Sequence, residues 1–197
     1  DVYKRQDDLD LILVGTVTPD HFTPSTAALV QKNIKANNAW GYDLSAACSG
    51  FLFGLETGAN FIASGRYKKV MVIGVDTMTS ILDFQDRDTC VIFGDGGGGV
   101  ILEPTSDGNG IVDSILHMDG SGGDYLIVPG GGSRIPASVE SVEKRKHFIK
   151  QDGKTVFKYA VKGMADVSEK ILSRNNLTGQ DISSVSYTHL TLPTKRS

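Results

Sequence analysis

The chain has only two cysteines, Cys48 and Cys90, in 197 residues. A secreted, disulfide-stapled domain wants more, in paired spacing, so a reducing cytoplasmic setting is expected. No apolar run approaches the ~18 residues of a membrane-crossing helix. The opening residues are charged, unlike a secretory signal. Positive charge is also short: 20 Lys and Arg stand against 23 Asp and Glu, a net charge of -3. That excludes a broad basic field for nucleic acid or an anionic membrane. The basic pairs and triplets that exist, Lys68-Lys69 and Lys144-Arg145-Lys146, read as solvated surface. The four histidines, His21, His117, His147 and His189, form no helical metal pair with another His or Cys, so no metal site is expected.

Glycine is plentiful, with 23 residues clustered near 94–99, 120–123 and 130–132, where they mark turns. The apolar patterning predicts a mixed α/β protein. Residues 7–14 read as the close of one element and a strand. Thr23 is expected to cap a helix with Pro24 at its first position, running to Asn37-Asn38. A short strand over 39–44 leads to a helix starting near Cys48, with Phe51, Leu52, Leu55, Ala59, Ile62 and Ala63 at helical spacing and Gly65 as the stop. The β-branched run 70–75 predicts a buried strand. Further strands are expected over 89–93, 100–102 and 111–118, and 119–150 reads as loop. From Gly153, the positions Val156, Phe157, Ala160, Met164, Val167, Ile171 and Leu172 predict one amphipathic helix ending at Asn175-Asn176. Asp1–Gln6 and Tyr187–Ser197 lack periodicity and read as a non-native leader and tail.

Chemistry concentrates at Cys48, where a strand hands over to a helix amid small residues, Ser45-Ala46-Ala47-Cys48-Ser49-Gly50. Small neighbours let a substrate approach the sulfur. Helix N–H groups favour a thiolate and face a developing oxyanion. Local context leaves two readings open, a nucleophile and a buried structural thiol. Cys90, read as mid-strand, is expected to pack in the core. Gly94-Asp95-Gly96-Gly97-Gly98-Gly99 fits G-x-G-x-x-G, but a strand rather than a helix follows it. A tight hairpin or backbone crossing is expected there, not a dinucleotide loop.

Ala46-Ala47-Cys48-Ser49-Gly50-Phe51 followed by Ile92-Phe93-Gly94-Asp95-Gly96 resembles the β-ketoacyl-ACP synthase III family. Further landmarks fall in the family's order: Asp43-Leu44, Ser64-Gly65, Asp86-Arg87-Asp88-Thr89, and Gly153-Lys154-Thr155-Val156-Phe157-Lys158. The resemblance covers residues 7–183. It implies a thiolase-like αβαβα layered fold, here an incomplete fragment with mixed sheets. Residues 7–107 would be the remainder of the N-terminal half, and 108–186 the start of the C-terminal half. It implies a homodimer whose substrates are acyl-CoA and malonyl-ACP, with no further cofactor. Cys48 would accept a short acyl group from CoA. Malonyl-ACP would then decarboxylate, and its carbanion would attack the acyl-cysteine to give 3-oxoacyl-ACP, initiating fatty-acid synthesis. By the same resemblance Arg87 stacks on the CoA adenine, Ile92, Gly153 and Phe157 line the pantetheine tunnel, and Phe22 and Thr23 shape the acyl pocket across the dimer. Related readings are another thiolase-fold acyltransferase, of secondary-metabolite or hydroxymethylglutaryl type, and a non-catalytic partner subunit.

Two departures qualify the resemblance. Family members often carry an aromatic residue where Thr23 aligns, whereas here Phe22 stands one step earlier. The family's Val-Pro-His-Gln-Ala-Asn motif, its later Asn and an adenine-stacking tryptophan have no match. His189, in Tyr187-Thr188-His189-Leu190, is not that motif. The chain as it stands is therefore expected to condense poorly.

Overall fold

The structure, a computed structural model, describes residues 6–185. The leader expected over 1–6, apart from Gln6, and the tail over 187–197 with His189 lie outside them. The centre is strand β1 (Leu11–Gly15), all five of whose residues are buried. Its alternation serves two cores. Ile12 and Val14 join Ala27, Val30 and Ile34 from α1 (Thr26–Ile34). Leu11 and Leu13 join Phe51, Leu55 and Ile62 from α2 (Gly50–Ala63). The two helices therefore lie on opposite faces of one sheet.

That sheet has the order β2-β1-β3-β4, with β2 at Trp40–Leu44, β3 at Val70–Asp76 and β4 at Gly96–Leu102. β2 and β3 both run parallel to β1, whereas β4 is antiparallel to β3. Parallel neighbours require crossover connections, which α1 and α2 supply. Asp10 fixes the start of the register, since its carboxylate accepts from the Lys68 and Lys69 amides at 2.6 and 2.9 Å. A second, two-stranded sheet pairs β5 (Leu126–Ile127) with β6 (Lys150–Gln151). Short helix α3 (Val139–Glu143) precedes β6, and long helix α4 (Gly153–Arg174) follows it.

Several elements depart from the sequence expectation. Helix α1 begins two residues late, because its N-cap is Ser25 rather than Thr23: the Ser25 hydroxyl accepts from the Ala28 amide at 3.2 Å. Asp43, from β2, takes the Thr26 and Ala27 amides at 2.7 and 2.8 Å, a tertiary cap no local pattern reveals. The helix closes at Lys35, in the left-handed region at φ 58°, before the Asn pair. Residues 89–93 form consecutive turns, not a strand, with the Cys90 amide donating to the Asp86 carbonyl at 3.0 Å and Phe93 to Thr89 at 3.3 Å. Cys90 is accordingly half-buried in a turn rather than packed mid-strand.

The glycine run is strand β4, paired residue by residue with β3 from Asp76↔Gly96 to Val70↔Leu102, and not a hairpin. At Gly99 a Cβ would fall 2.9 Å from the Val72 carbonyl oxygen, so the bare backbone is what permits this approach. Residues 111–118 form no strand; side chains hold them instead, with Asp113 bound by Arg174 and Asn175 and Ser114 bound to Glu56 at 2.5 Å. Helix α4 matches its expected span, capped by Asp152 at the front and ending at Asn175. Its apolar stripe is only half-buried, and Phe157 is exposed. Among the described residues no helix is long and apolar enough to cross a membrane.

Candidate active site

Strands β1, β2 and β3 all end at one edge of the sheet, where Gly15, Leu44 and Gly74 lie in register and Asp76 faces Gly96 at the start of β4. The loops beyond these ends therefore share that edge, the usual place for a ligand in an open α/β sheet. The loop after β1 carries Phe22 and Thr23. The turn after β2 carries Cys48. The segment between β3 and β4 carries Arg87 and Ile92. Topology thus gathers five of the seven expected site residues. Gly153 and Phe157 occupy the first and fifth positions of α4, one helical turn apart. Phe22 is 93% exposed, and Thr23, Arg87, Ile92, Gly153 and Phe157 are exposed as well. No hydrogen bond or ion pair joins Cys48 to these residues among those described.

Cys48 sits in a single 3-10 turn, Ala47–Ser49, immediately before α2. Ala47 adopts φ 45°, a left-handed conformation uncommon outside glycine. That sharp reversal presents the thiol ahead of the helix rather than along it. Ser49, at the N-cap, gives the helix no side-chain hydrogen bond, so its first N–H groups are not capped by it. Sequence reasoning missed what seats this helix. Gly50, Gly54 and Gly58 are its buried residues, spaced four apart along one face. A Cβ on Gly54 would lie 2.8 Å from Val72 Cγ1, and one on Gly58 2.8 Å from Leu102 Cδ1. A Cβ on Gly15 would lie 2.7 Å from the Gly50 carbonyl carbon. The stripe lets α2 lie directly on the sheet, which fixes the height of Cys48 above β1. The four-residue glycine spacing was the legible signal.

The electrostatics oppose the expectation of a depressed thiol pKa. Cys48 is exposed as a residue, yet neighbouring atoms crowd water from its sulfur. That desolvation pushes the thiol above its ordinary value; a backbone hydrogen bond pulls the other way, and the Asp76 carboxylate adds a further upward push. Asp76 is a second group the sequence did not single out. One of its oxygens accepts from Thr16 Oγ1, the Val17 amide, the Thr18 amide and Thr18 Oγ1, at 2.8–3.2 Å. It thereby ties the loop after β1 to the end of β3. Asp95, in the Phe-Gly-Asp-Gly segment, takes the Thr79 amide and hydroxyl, both at 2.7 Å, which hold its pKa below the usual carboxylate range. Among the described residues no cluster of three or more His, Cys, Asp or Glu is placed to hold a metal. A hollow of about 550 Å³, lined by Thr57, Asn60, Phe61, Ser64, Arg66 and Tyr67, lies toward the opposite end of α2.

A parallel-centred mixed sheet with helices on both faces and a cysteine turn at its carboxyl edge defines a thiolase-like α/β fold. Residues 42–120 match the family model of 3-oxoacyl-[acyl-carrier-protein (ACP)] synthase III. The chain is 61% identical over 178 residues to beta-ketoacyl-[acyl-carrier-protein] synthase III of Chlorobaculum tepidum, covering 89% of the chain and 54% of that protein. It superposes on crystalline 3-oxoacyl-[acyl-carrier-protein] synthase III from Aquifex aeolicus with a TM-score of 0.78 at 35% identity, covering 90% of the chain and 53% of the other. The priming beta-ketosynthase of the R1128 polyketide pathway gives the same TM-score at 32% identity, with coverage of 90% and 52%. The chain spans about half the length of the curated relatives it matches.

Proposed function

We propose that the protein carrying this chain is an acyltransferase of the 3-oxoacyl-ACP synthase III type that starts fatty-acid synthesis in the cytoplasm. The observation that carries this reading is Cys48 on a strained turn at the carboxyl edge of the sheet, flanked by the loops of Phe22, Thr23, Arg87 and Ile92. In the first step the Cys48 sulfur, having given up its proton, attacks the thioester carbonyl of a short acyl-CoA. The tetrahedral intermediate collapses by breaking the carbon–sulfur bond to CoA, whose thiolate leaves and takes up a proton. The product is an S-acyl enzyme that keeps a reactive thioester carbonyl. Arg87 offers a planar guanidinium to the adenine. Ile92, Gly153 and Phe157 form walls for the pantetheine arm, and Phe22 and Thr23 shape the acyl pocket across a homodimer. No cofactor or metal takes part.

Malonyl-ACP is the second substrate; its decarboxylation releases carbon dioxide and yields the carbanion that attacks the acyl-cysteine carbonyl, whose bond to the Cys48 sulfur then breaks, giving 3-oxoacyl-ACP and a Cys48 thiolate that takes up a proton. Residues 7–107 are the nucleophile-bearing half of the fold and 108–186 the opening of the second half. The equal structural likeness to a polyketide priming enzyme favours a second reading, in which the same acylation serves a secondary-metabolite pathway. Intact-mass spectrometry of the full-length protein with a panel of acyl-CoAs tests both. A short acyl adduct that disappears in Cys48→Ala supports the acyltransferase, and acceptance of longer or branched acyl groups favours the second reading. An adduct that persists in Cys48→Ala sinks the assignment of the nucleophile.

A further inference from the structure

Ion pairs among the described residues are mostly solvent-washed, but one carboxylate is not: Asp83 is 5% exposed. Arg145 grips it with two nitrogens, Nε donating to Asp83 Oδ2 at 2.8 Å and a terminal nitrogen to Oδ1. The guanidinium also lies over the Phe148 ring, 4.8 Å from its centroid. Lys150 Nζ stands 4.0 Å from the same carboxylate. Asp83 Oδ1 meanwhile accepts from the Gln85 amide at 2.9 Å, which sets the direction in which the chain leaves toward Arg87. Two residues earlier, the Ile81 carbonyl accepts from the Ile149 amide at 2.9 Å. Two distant stretches are thus locked together, 81–85 at the root of the loop bearing Arg87 and Ile92, and 145–150 at the root of the helix bearing Gly153 and Phe157. A bidentate arginine–carboxylate pair fixes orientation as well as distance, as a single point charge does not.

We propose that Asp83 and Arg145 are positioning residues, which set the distance between the two walls that receive the CoA thioester without touching the reacting atoms. The inference rests on the acyl-CoA reading above. The expected signature is a selective loss of CoA affinity. In the full-length protein Arg145→Met raises the KM for acyl-CoA in Cys48 acylation about tenfold, the factor that ~1.4 kcal/mol of lost binding gives, since a shifted wall loosens the grip on the CoA arm. The kcat of acylation and the rate of Cys48 alkylation by iodoacetamide stay at the wild-type level. Arg145→Lys, which keeps the charge but loses the fork, falls between. Asp83→Asn gives the same split and serves where Arg145→Met does not fold. An unchanged KM in a folded variant overturns the proposal, and so do KM, kcat and alkylation all declining in step with thermal stability. Arg87→Ala separates the two levels: if it leaves KM unmoved, the CoA assignment itself fails; if it raises KM while Arg145→Met does not, only the positioning role fails.

Discussion

Replacing Gly15 by alanine should disturb Cys48 more than any other single-methyl change at the carboxyl edge. Gly15 closes β1 and faces the first residue of α2. A new Cβ would lie 2.7 Å from the Gly50 carbonyl carbon, 3.0 Å from its oxygen and 3.1 Å from its Cα. Ordinary contact begins at 3.4 Å, so 3.4 Å less 2.7 Å leaves a deficit of 0.7 Å. Backbone stands on both sides, and no rotamer relieves the clash; strand and helix must part. Overpacking of this kind costs roughly 1–3 kcal/mol. Alanine recovers roughly 0.5–1 kcal/mol of backbone entropy in a strand. The net expectation is a loss of about 1–2 kcal/mol, read as a lower urea midpoint with an unchanged slope. Because Cys48 stands two residues before Gly50, the displaced helix carries the thiol with it. A misplacement approaching 1 Å lowers acylation by up to about a hundredfold, which intact-mass time courses at saturating acyl-CoA would resolve in the folded variant. A Gly15→Ala protein with wild-type midpoint and acylation rate would refute the claim that this glycine contact sets the height of Cys48.

Two further outcomes concern protons. Iodoacetamide alkylation of Cys48, followed against pH, should show its midpoint above that of an ordinary thiol, because desolvation and Asp76 both disfavour the thiolate; Asp76→Asn should move the midpoint down, and a wild-type midpoint below the ordinary value would contradict the geometry. Asp83 is held at a pKa of about 2, chiefly by the Arg145 hydrogen bonds, against an ordinary 3.8. A depressed carboxylate contributes stability that is complete above about pH 4 and is lost as pH falls toward 2. Urea midpoints of the wild type should therefore drop across that window, with a shallower drop in Asp83→Asn; parallel acid limbs in the two proteins would count against it.

The parts of the fold that local pattern controls were legible from sequence. The run Val70–Val75 is a strand, and α4 spans the helix expected from its apolar stripe, because a repeating side-chain period is a local property. Failures came where a distant partner decides. Val91 and Ile92 suggested a strand, but the neighbouring backbone closes turns onto Asp86 and Thr89 instead. The glycines of 94–99 suggested a tight hairpin or a backbone crossing; Gly96–Gly99 instead pair along the edge of β3, where bare backbone permits the close approach. Asp43 caps a helix sixteen residues before it, which no window around either segment reveals. At the candidate site, motif order picked out Cys48 and the loops now found at one edge. It did not indicate Asp76 or the upward push on the Cys48 thiol, because both depend on how the ends of β1 and β3 meet.

The way the buried side chains of β1 alternate between two faces has a consequence for how such a protein can change. Ile12 and Val14 carry only the layer beneath α1, whose preceding loop holds Phe22 and Thr23. Leu11 and Leu13 carry only the layer beneath α2, which holds the cysteine turn. One five-residue segment therefore acts as a partition between two compartments that can be redesigned separately. Substitutions at the even positions offer a way to retune the side of the Phe22 and Thr23 loop while Cys48 keeps its seat. Mutational drift in the layer beneath α1 can then proceed without being vetoed by the cysteine turn.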